Sequence, residues 1–220
     1  MDQNQLGQVL LFLPILLFSI IIHEIAHGVV ALWHGDATAK VAGRLTLNPL
    51  PHLDPVGSVL LPGLLLLSGS RMLFGWAKPV PVNEANLRRP HRDGFLVAAA
   101  GPLSNILLAY ACALLLSLAM RLLPGGIGIA HVVLFMAVGV NCLLAVFNLL
   151  PIPPLDGHWL VMRFLPARLA RAYRQVGFFG VAAIFLLFWI PGVRDTLVGK
   201  PVGFLQSLLL SAAGLPGAGS

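Results

Sequence analysis

SIIIHEIAHGVVALWHG, residues 19–35, sets His23, Glu24 and His27 inside an apolar run that covers residues 6–33. Ionisable side chains in such a run are costly in lipid and are tolerated where they face a partner or a cavity. The whole chain points to lipid. Its 220 residues are 58% hydrophobic and 10% charged, with a mean hydropathy of +0.89, far from the composition of a soluble domain. Lys and Arg (14) exceed Asp and Glu (8), but they sit in short loops between apolar runs, where they set membrane orientation. No nucleic-acid module accompanies them. Cys112 and Cys142 lie in apolar runs without CxxC spacing and read as packing residues.

Residues 6–33, 94–122 and 129–150 are each long enough to cross a bilayer, which takes about 20 helical residues. The run 176–190 is shorter, and 202–213 shorter still. MDQNQLGQ at the start has neither a basic n-region nor a small-residue cleavage site, so the first run is expected to stay as a span. Residues 54–69, DPVGSVLLPGLLLLSG, carry Pro62-Gly63 at their middle and read either as a short span or as a broken re-entrant helix. Charge favours the second. If 54–69 does not cross, eleven of the fourteen basic residues, Lys40 to Arg92 and Arg163 to Arg174, fall on the cytoplasmic side with the N-terminus outside. Only Arg121, Arg194 and Lys200 are then external. If it does cross, the charges from Arg71 to Arg92 part from Lys40 and Arg44, and the pattern blurs. The expected fold is an all-α polytopic membrane protein with four to six transmembrane helices and a re-entrant or short broken helix. A small membrane-associated β element is offered by VAGRLTL, residues 41–47, where Arg44 and Thr46 alternate with Leu45 and Leu47; a surface loop is the competing reading. Pro79 and Pro81 suggest an extended segment, and Trp76 with Lys78 an interfacial anchor.

HEIAH fits H-E-x-x-H. On a helix, positions i and i+4 lie about 40° apart around the axis and one turn apart along it, so His23 and His27 can grip one metal ion. Glu24 sits beside the first ligand, where its carboxylate can take a proton from an activated water. A catalytic zinc usually has three protein ligands and an open position. The third ligand must come from His34, His52, Asp54, Asp156 or His158. Asp156 is the strongest candidate, since it lies in NLLPIPPLDGHWL (148–160), where Pro151, Pro153 and Pro154 forbid a regular helix at membrane depth. His52 and Asp54 are its rivals, or else hydrogen-bonding supports near the site.

HEIAH followed by NLLPIPPLDG resembles the two signatures of the site-2 proteases, intramembrane zinc metalloproteases. LTLNPLPHLDPVGSVLLP, GWAKPVPVN and AGPLSN are similar to segments of that family's compact prokaryotic branch, and no inserted PDZ-like or CBS-like domain interrupts them. The resemblance covers about residues 20–158, leaving 159–220 as additional C-terminal membrane segments of a single domain, 1–220. It implies His23, His27 and Asp156 as ligands of one zinc ion and Glu24 as general base. It further implies Asn148, and less directly Asn105, as groups that hold substrate or the developing oxyanion. Gly101, Pro102 and the alanines before them permit close helix approach, and an interhelical hydrogen bond is the alternative role for Asn105. The implied partners are the bilayer and membrane-protein substrates with a transmembrane segment. The implied location is the cell membrane, multi-pass, with the active site toward the cytoplasm. A zinc-stabilised scaffold has no use for Glu24, and a metal-ion transporter would need ligands through successive spans.

Overall fold

The computed structural model describes residues 3–68, 77–122, 127–175 and 177–216; Arg71 and Trp76 lie outside these. Helix α1 spans Gln3–Trp33 and α2 Thr38–Val41, and a π-helical turn at Pro55–Leu60 leads into α3, Leu61–Leu67. Then follow α4 (Pro90–Leu122), α5 (Ile129–Asn148), α6 (Asp156–Met162), α7 (Ala167–Gln175) and α8 (Gly177–Trp189). The short α9 (Pro191–Arg194) continues through a π-helical turn, Asp195–Gly199, into α10, Lys200–Ala212. The fold is that of an all-α polytopic membrane protein. Among the described residues three helices are long and apolar enough to cross a membrane: α1 over Val9–Trp33, α4 and α5. The 20 residues of α5 rise about 30 Å, the thickness of the hydrocarbon layer. The helices α8 and α10, with 13 residues each, are shorter.

Lipid tails offer no hydrophobic drive for helices to associate, so close packing and interhelical hydrogen bonds must do it. Small side chains supply the closeness. Ala109 and Ala113, one turn apart on α4, are fully buried against Val138 and Cys142 of α5, and Leu209, Leu210 and Ala213 at the end of α10 complete this core. Both cysteines are free, and Cys142 serves as packing.

Residues 41–47 form a loop, and among the described residues there is no strand, so the expected β element is corrected. The cause is local. Gly43 adopts a left-handed φ of +66°, its N–H donates to the Lys40 carbonyl (3.0 Å), and the Arg44 N–H reaches back to Ala39 (2.9 Å). This is a Schellman stop for α2. Thr46 then accepts from the Asn48 N–H, and Asn48 from the Leu50 N–H, so the polar groups turn the chain locally instead of forming a ladder. Gly35, at φ +111°, ends α1 by the same device, with the Asp36 N–H bonded to the Ala31 carbonyl (2.9 Å).

The chain from 35 to 89 leaves and returns at one end of the bundle. The Arg88 N–H donates to the His34 carbonyl (3.0 Å), and His34 Nδ1 lies 3.3 Å from Asp93 of α4. The intervening segment therefore makes no net crossing, which accords with a re-entrant helix over 55–67. Asp36 holds this closure. Its fully buried carboxylate accepts from the Asn83 N–H (2.7 Å), Asn86 Nδ2 (3.0 Å), the Thr38 N–H (3.0 Å) and the Thr38 hydroxyl. Burial pushes the carboxyl pKa up, but the bonds from Thr38, Asn86 and Asn83 outweigh it and hold the group below its usual range.

Asp36→Ala is expected to destabilise the protein in detergent by about 3 kcal/mol, since several donors lose a charged acceptor. A folded pKa below the unfolded value means that the contribution is present at neutral pH and fades as pH falls below about 4. Thermal melts from pH 7 to 3 should therefore show wild type and variant converging at the acid end.

Candidate metal centre

The apolar run of α1 carries HEIAH as unbroken helix, so His23 and His27 sit one turn apart and edge-on, with ring centroids 4.6 Å apart and Nε2 atoms 3.0 Å apart. A single stripe of α4, at spacing four, meets them. His27 Nδ1 donates to the Val97 carbonyl (2.6 Å), and His23 Nδ1 to Asn105 Oδ1 (2.7 Å). Between these two contacts stands Gly101. A Cβ there would lie 2.4 Å from His27 Nε2 and 2.5–2.6 Å from the His23 ring, so the rings occupy the room that a side chain would take.

Asp156 arrives from the other side. After α5 ends at Asn148 the prolines break the helix, the Pro153–Pro154 bond is cis, and the chain doubles back. The return is tight. A Cβ at Gly157 would lie 2.3–2.4 Å from the carbonyl oxygens of Leu149 and Leu150. This places Asp156, the first residue of α6, with Oδ2 3.1 Å from His23 Nε2 and 3.3 Å from His27 Nε2.

The donor chemistry of this trio fits a cation. A carbonyl oxygen only accepts, so each histidine carries a proton on Nδ1, and in the neutral ring this turns a bare Nε2 lone pair inward. Two lone pairs and a carboxylate oxygen that lacks a hydrogen-bond donor then face one another across about 3 Å. Without a positive charge among them the arrangement is repulsive. All three atoms lie within 4.8 Å of one another and could hold one ion.

Glu24 flanks the trio and accepts from the Val80 N–H (2.7 Å). Val80 belongs to segment 77–83, which is neither helix nor strand, and is buried against α1, where Gly28 leaves it room. Lys78 is tied to the preceding loop through the His52 carbonyl and the Arg44 guanidinium. The site opens on a cavity of about 350 Å³ whose walls include Pro79, Val80, Asn148, Pro154 and Trp159. Asn148 Nδ2 donates to its own helix at Leu144 (3.0 Å) while the residue lines the cavity.

Other anticipated residues lie elsewhere. Asn105 is fully buried behind His23, with both ends of its carboxamide engaged, so it backs the histidine instead of facing the cavity. His52 is buried beneath the 44–52 loop, with Nε2 bonded to the Thr46 carbonyl (2.9 Å). Asp54 caps the turn that follows it, accepting from the Val56 and Gly57 N–H groups. Neither His52 nor Asp54 reaches the metal trio, because each is spent on local backbone. Asn141 and Ser19, which bond to Asn105, escaped the sequence reading, since an isolated polar residue in an apolar run carries no pattern.

Comparison with known proteins adds independent support. A family model described as "Peptidase family M50" matches residues 125–189. Over 180 residues the chain is 39% identical to "Putative zinc metalloprotease YwhC" of Bacillus subtilis (strain 168), covering 80% of this chain and 78% of that protein. It is 34% identical over 187 residues to "Putative zinc metalloprotease Rip2" of Mycobacterium tuberculosis (strain ATCC 25618 / H37Rv), covering 83% and 68%. The Rip2 of Mycolicibacterium smegmatis (strain ATCC 700084 / mc(2)155) is 29% identical over 207 residues, covering 90% and 76%. No solved structure matches the chain. A His-Glu-x-x-His helix joined to a distant aspartate within apolar helices, together with 39% identity across most of a zinc metalloprotease relative, means that this chain belongs to peptidase family M50, the site-2 protease family of intramembrane zinc metalloproteases.

Proposed function

We propose that His23 Nε2, His27 Nε2 and Asp156 Oδ2 hold one zinc ion per chain, that Glu24 is the general base, and that the substrates are transmembrane segments of membrane proteins. The convergence of these three atoms beside Glu24 on one cavity carries the reading. When bound, the ion polarises the scissile carbonyl and acidifies water. Glu24 accepts a proton from the attacking water and later delivers it to the leaving amine nitrogen. The Val80 N–H holds one carboxylate oxygen, Oε2, and leaves Oε1 without a hydrogen bond among the described residues. Asn148 lines the cavity and keeps one amide proton beyond its bond to Leu144, which can steady the developing oxyanion. A substrate helix hides its peptide bonds in its own hydrogen bonds, so it must unwind locally before it can lie along the cavity beside residues 79–82.

The whole chain acts as one domain, supported by the packing of α10 on α4 and α5. The N-terminus is outside and the site faces the cytoplasm. Two observations support this orientation: the bias of eleven basic residues to one side, and the meeting of the α1 C-terminal end, the α4 N-terminal end and the post-α5 turn.

Cleavage of a model transmembrane substrate in detergent should fall by about 10²- to 10⁴-fold in Glu24→Gln with zinc content unchanged. Chelation should abolish wild-type cleavage and added zinc should restore it. Equal cutting by Glu24→Gln would overturn the assignment. Gly101→Ala drives a methyl into both imidazoles, so zinc content measured by elemental analysis should drop, with activity lowered by about 10²-fold. Reporter fusions after Lys78 and after Arg171 should both report the cytoplasm; opposite faces would refute the topology.

A further inference from the structure

Behind His23 runs a closed chain of hydrogen bonds that joins α1, α4 and α5. His23 Nδ1 meets Asn105 Oδ1 (2.7 Å), and Asn105 Nδ2 meets Asn141 Oδ1 (2.9 Å). Asn141 Nδ2 reaches both Ser19 Oγ and the Ala137 carbonyl at 2.9 Å, and Ser19 Oγ bonds to the Ile15 carbonyl (2.8 Å). Ser19, Asn105 and Asn141 are each no more than 1% exposed. Water is not at hand to satisfy a misplaced group, and an unpaired amide in lipid costs several kcal/mol.

The direction of every proton in this chain follows from its far end. The Ala137 oxygen is a backbone carbonyl and can only accept, so the side-chain atom of Asn141 beside it must be the nitrogen. Ser19 spends its proton on Ile15 and therefore accepts the second proton of that nitrogen. Asn141 must then present its oxygen to Asn105. Asn105 answers with its nitrogen, whose other proton points toward the Ser19 carbonyl (3.4 Å), and is left with its oxygen toward His23. Only a protonated Nδ1 can meet that oxygen, so in the neutral ring Nε2 is bare and faces Asp156. His27 needs no such relay, because the Val97 carbonyl sets its tautomer directly.

We propose that Asn141 is a positioning residue: by fixing which end of the Asn105 carboxamide faces His23, it holds His23 in the Nδ1–H tautomer that points a lone pair into the metal site. The proposal rests on the reading of His23 as a ligand, and its test separates the two. The full chain, metal-free in detergent and labelled with ¹⁵N-histidine, reports the tautomer without zinc, with the His23 signal assigned by its loss in His23→Gln. In wild type, at a pH where the ring is neutral, Nδ1 should be protonated and Nε2 bare. In Asn141→Leu the signal should shift to mixed tautomers, and zinc affinity by chelator competition should fall about 10- to 100-fold, the usual effect of losing a residue that orients a ligand. Cys142→Ala, a core truncation one residue along α5, should leave the tautomer unchanged, which distinguishes orientation from loss of packing. A neutral His23 with its proton on Nε2 and not on Nδ1 in wild type, or an unaltered tautomer in folded Asn141→Leu, overturns the proposal even if the leucine variant binds zinc less well. A shifted tautomer with undiminished zinc affinity supports the positioning role and overturns instead the assignment of His23 as a ligand.

Discussion

The close approach of α4 to α1 at Gly101 is the constraint on which the site depends. With no side chain there, the α4 backbone lies within van der Waals reach of both imidazoles, and the residues one turn to either side, Val97 and Asn105, come within hydrogen-bond distance of their Nδ1 atoms. Two rings are thereby held in place by one helix face, with the Val97 carbonyl meeting His27 and the Asn105 carboxamide meeting His23. In water such bonds would compete with solvent; in a buried, apolar setting they orient strongly, because the alternative is an unsatisfied polar group. The small residues that follow on α4, Ala109 and Ala113, prolong the same closeness toward α5 and α10.

Glu24 is served by a different part of the chain. Its hydrogen bond to Val80 depends on the path of residues 77–83, and that path depends on anchors at both ends. Lys78 is fastened to the 44–52 loop, and Asn83 and Asn86 are fastened to Asp36. Asp36 in turn is placed by the left-handed Gly35 that ends α1, eight residues after His27. Prolines at 79 and 81 leave Val80 as the donor between them, so one N–H is aimed at one carboxylate oxygen with no neighbouring N–H to compete. The loop between α1 and α4 is thus a support for Glu24, the proposed general base, and more than a connection.

Much of this was legible beforehand, and the reasons differ by residue. His23, Glu24 and His27 stood out because charge in an apolar run is expensive, and Asp156 because three prolines at membrane depth require a lined cavity. The three long helices followed from length alone. Residues 41–47 showed a strand-like alternation, but Gly43 and the side chains of Thr46 and Asn48 form local turns that outcompete any ladder, and a period over so few residues cannot register that. His52 and Asp54 had the right chemistry near the right place in sequence, yet both satisfy backbone groups of their own segment. Asn105 is conspicuous in an apolar run but its direction is not, since a helix position does not say which neighbour an amide meets. Asn141 was invisible: its role exists only where three helices cross.

The C-terminal third, beyond the stretch that resembles the family's motifs, has a physical reason to be there. An aspartate eight residues past the end of α5 would rise about 12 Å beyond Asn148 if the helix continued. The proline-rich turn instead folds it back, and a turn without regular hydrogen bonding must be held by packing. Leu150 and Leu155, on either side of the prolines, are buried against Ile184 of α8 and Val198 of the turn before α10. The Pro153 carbonyl meets α8 where Gly180 leaves space; a Cβ there would lie 1.7 Å from that oxygen. Helices too short to span the bilayer comfortably are long enough for this task. They clamp the turn from outside while α1 and α4 fix the histidines from inside, so the two halves of the proposed metal site owe their registry to different ends of the chain.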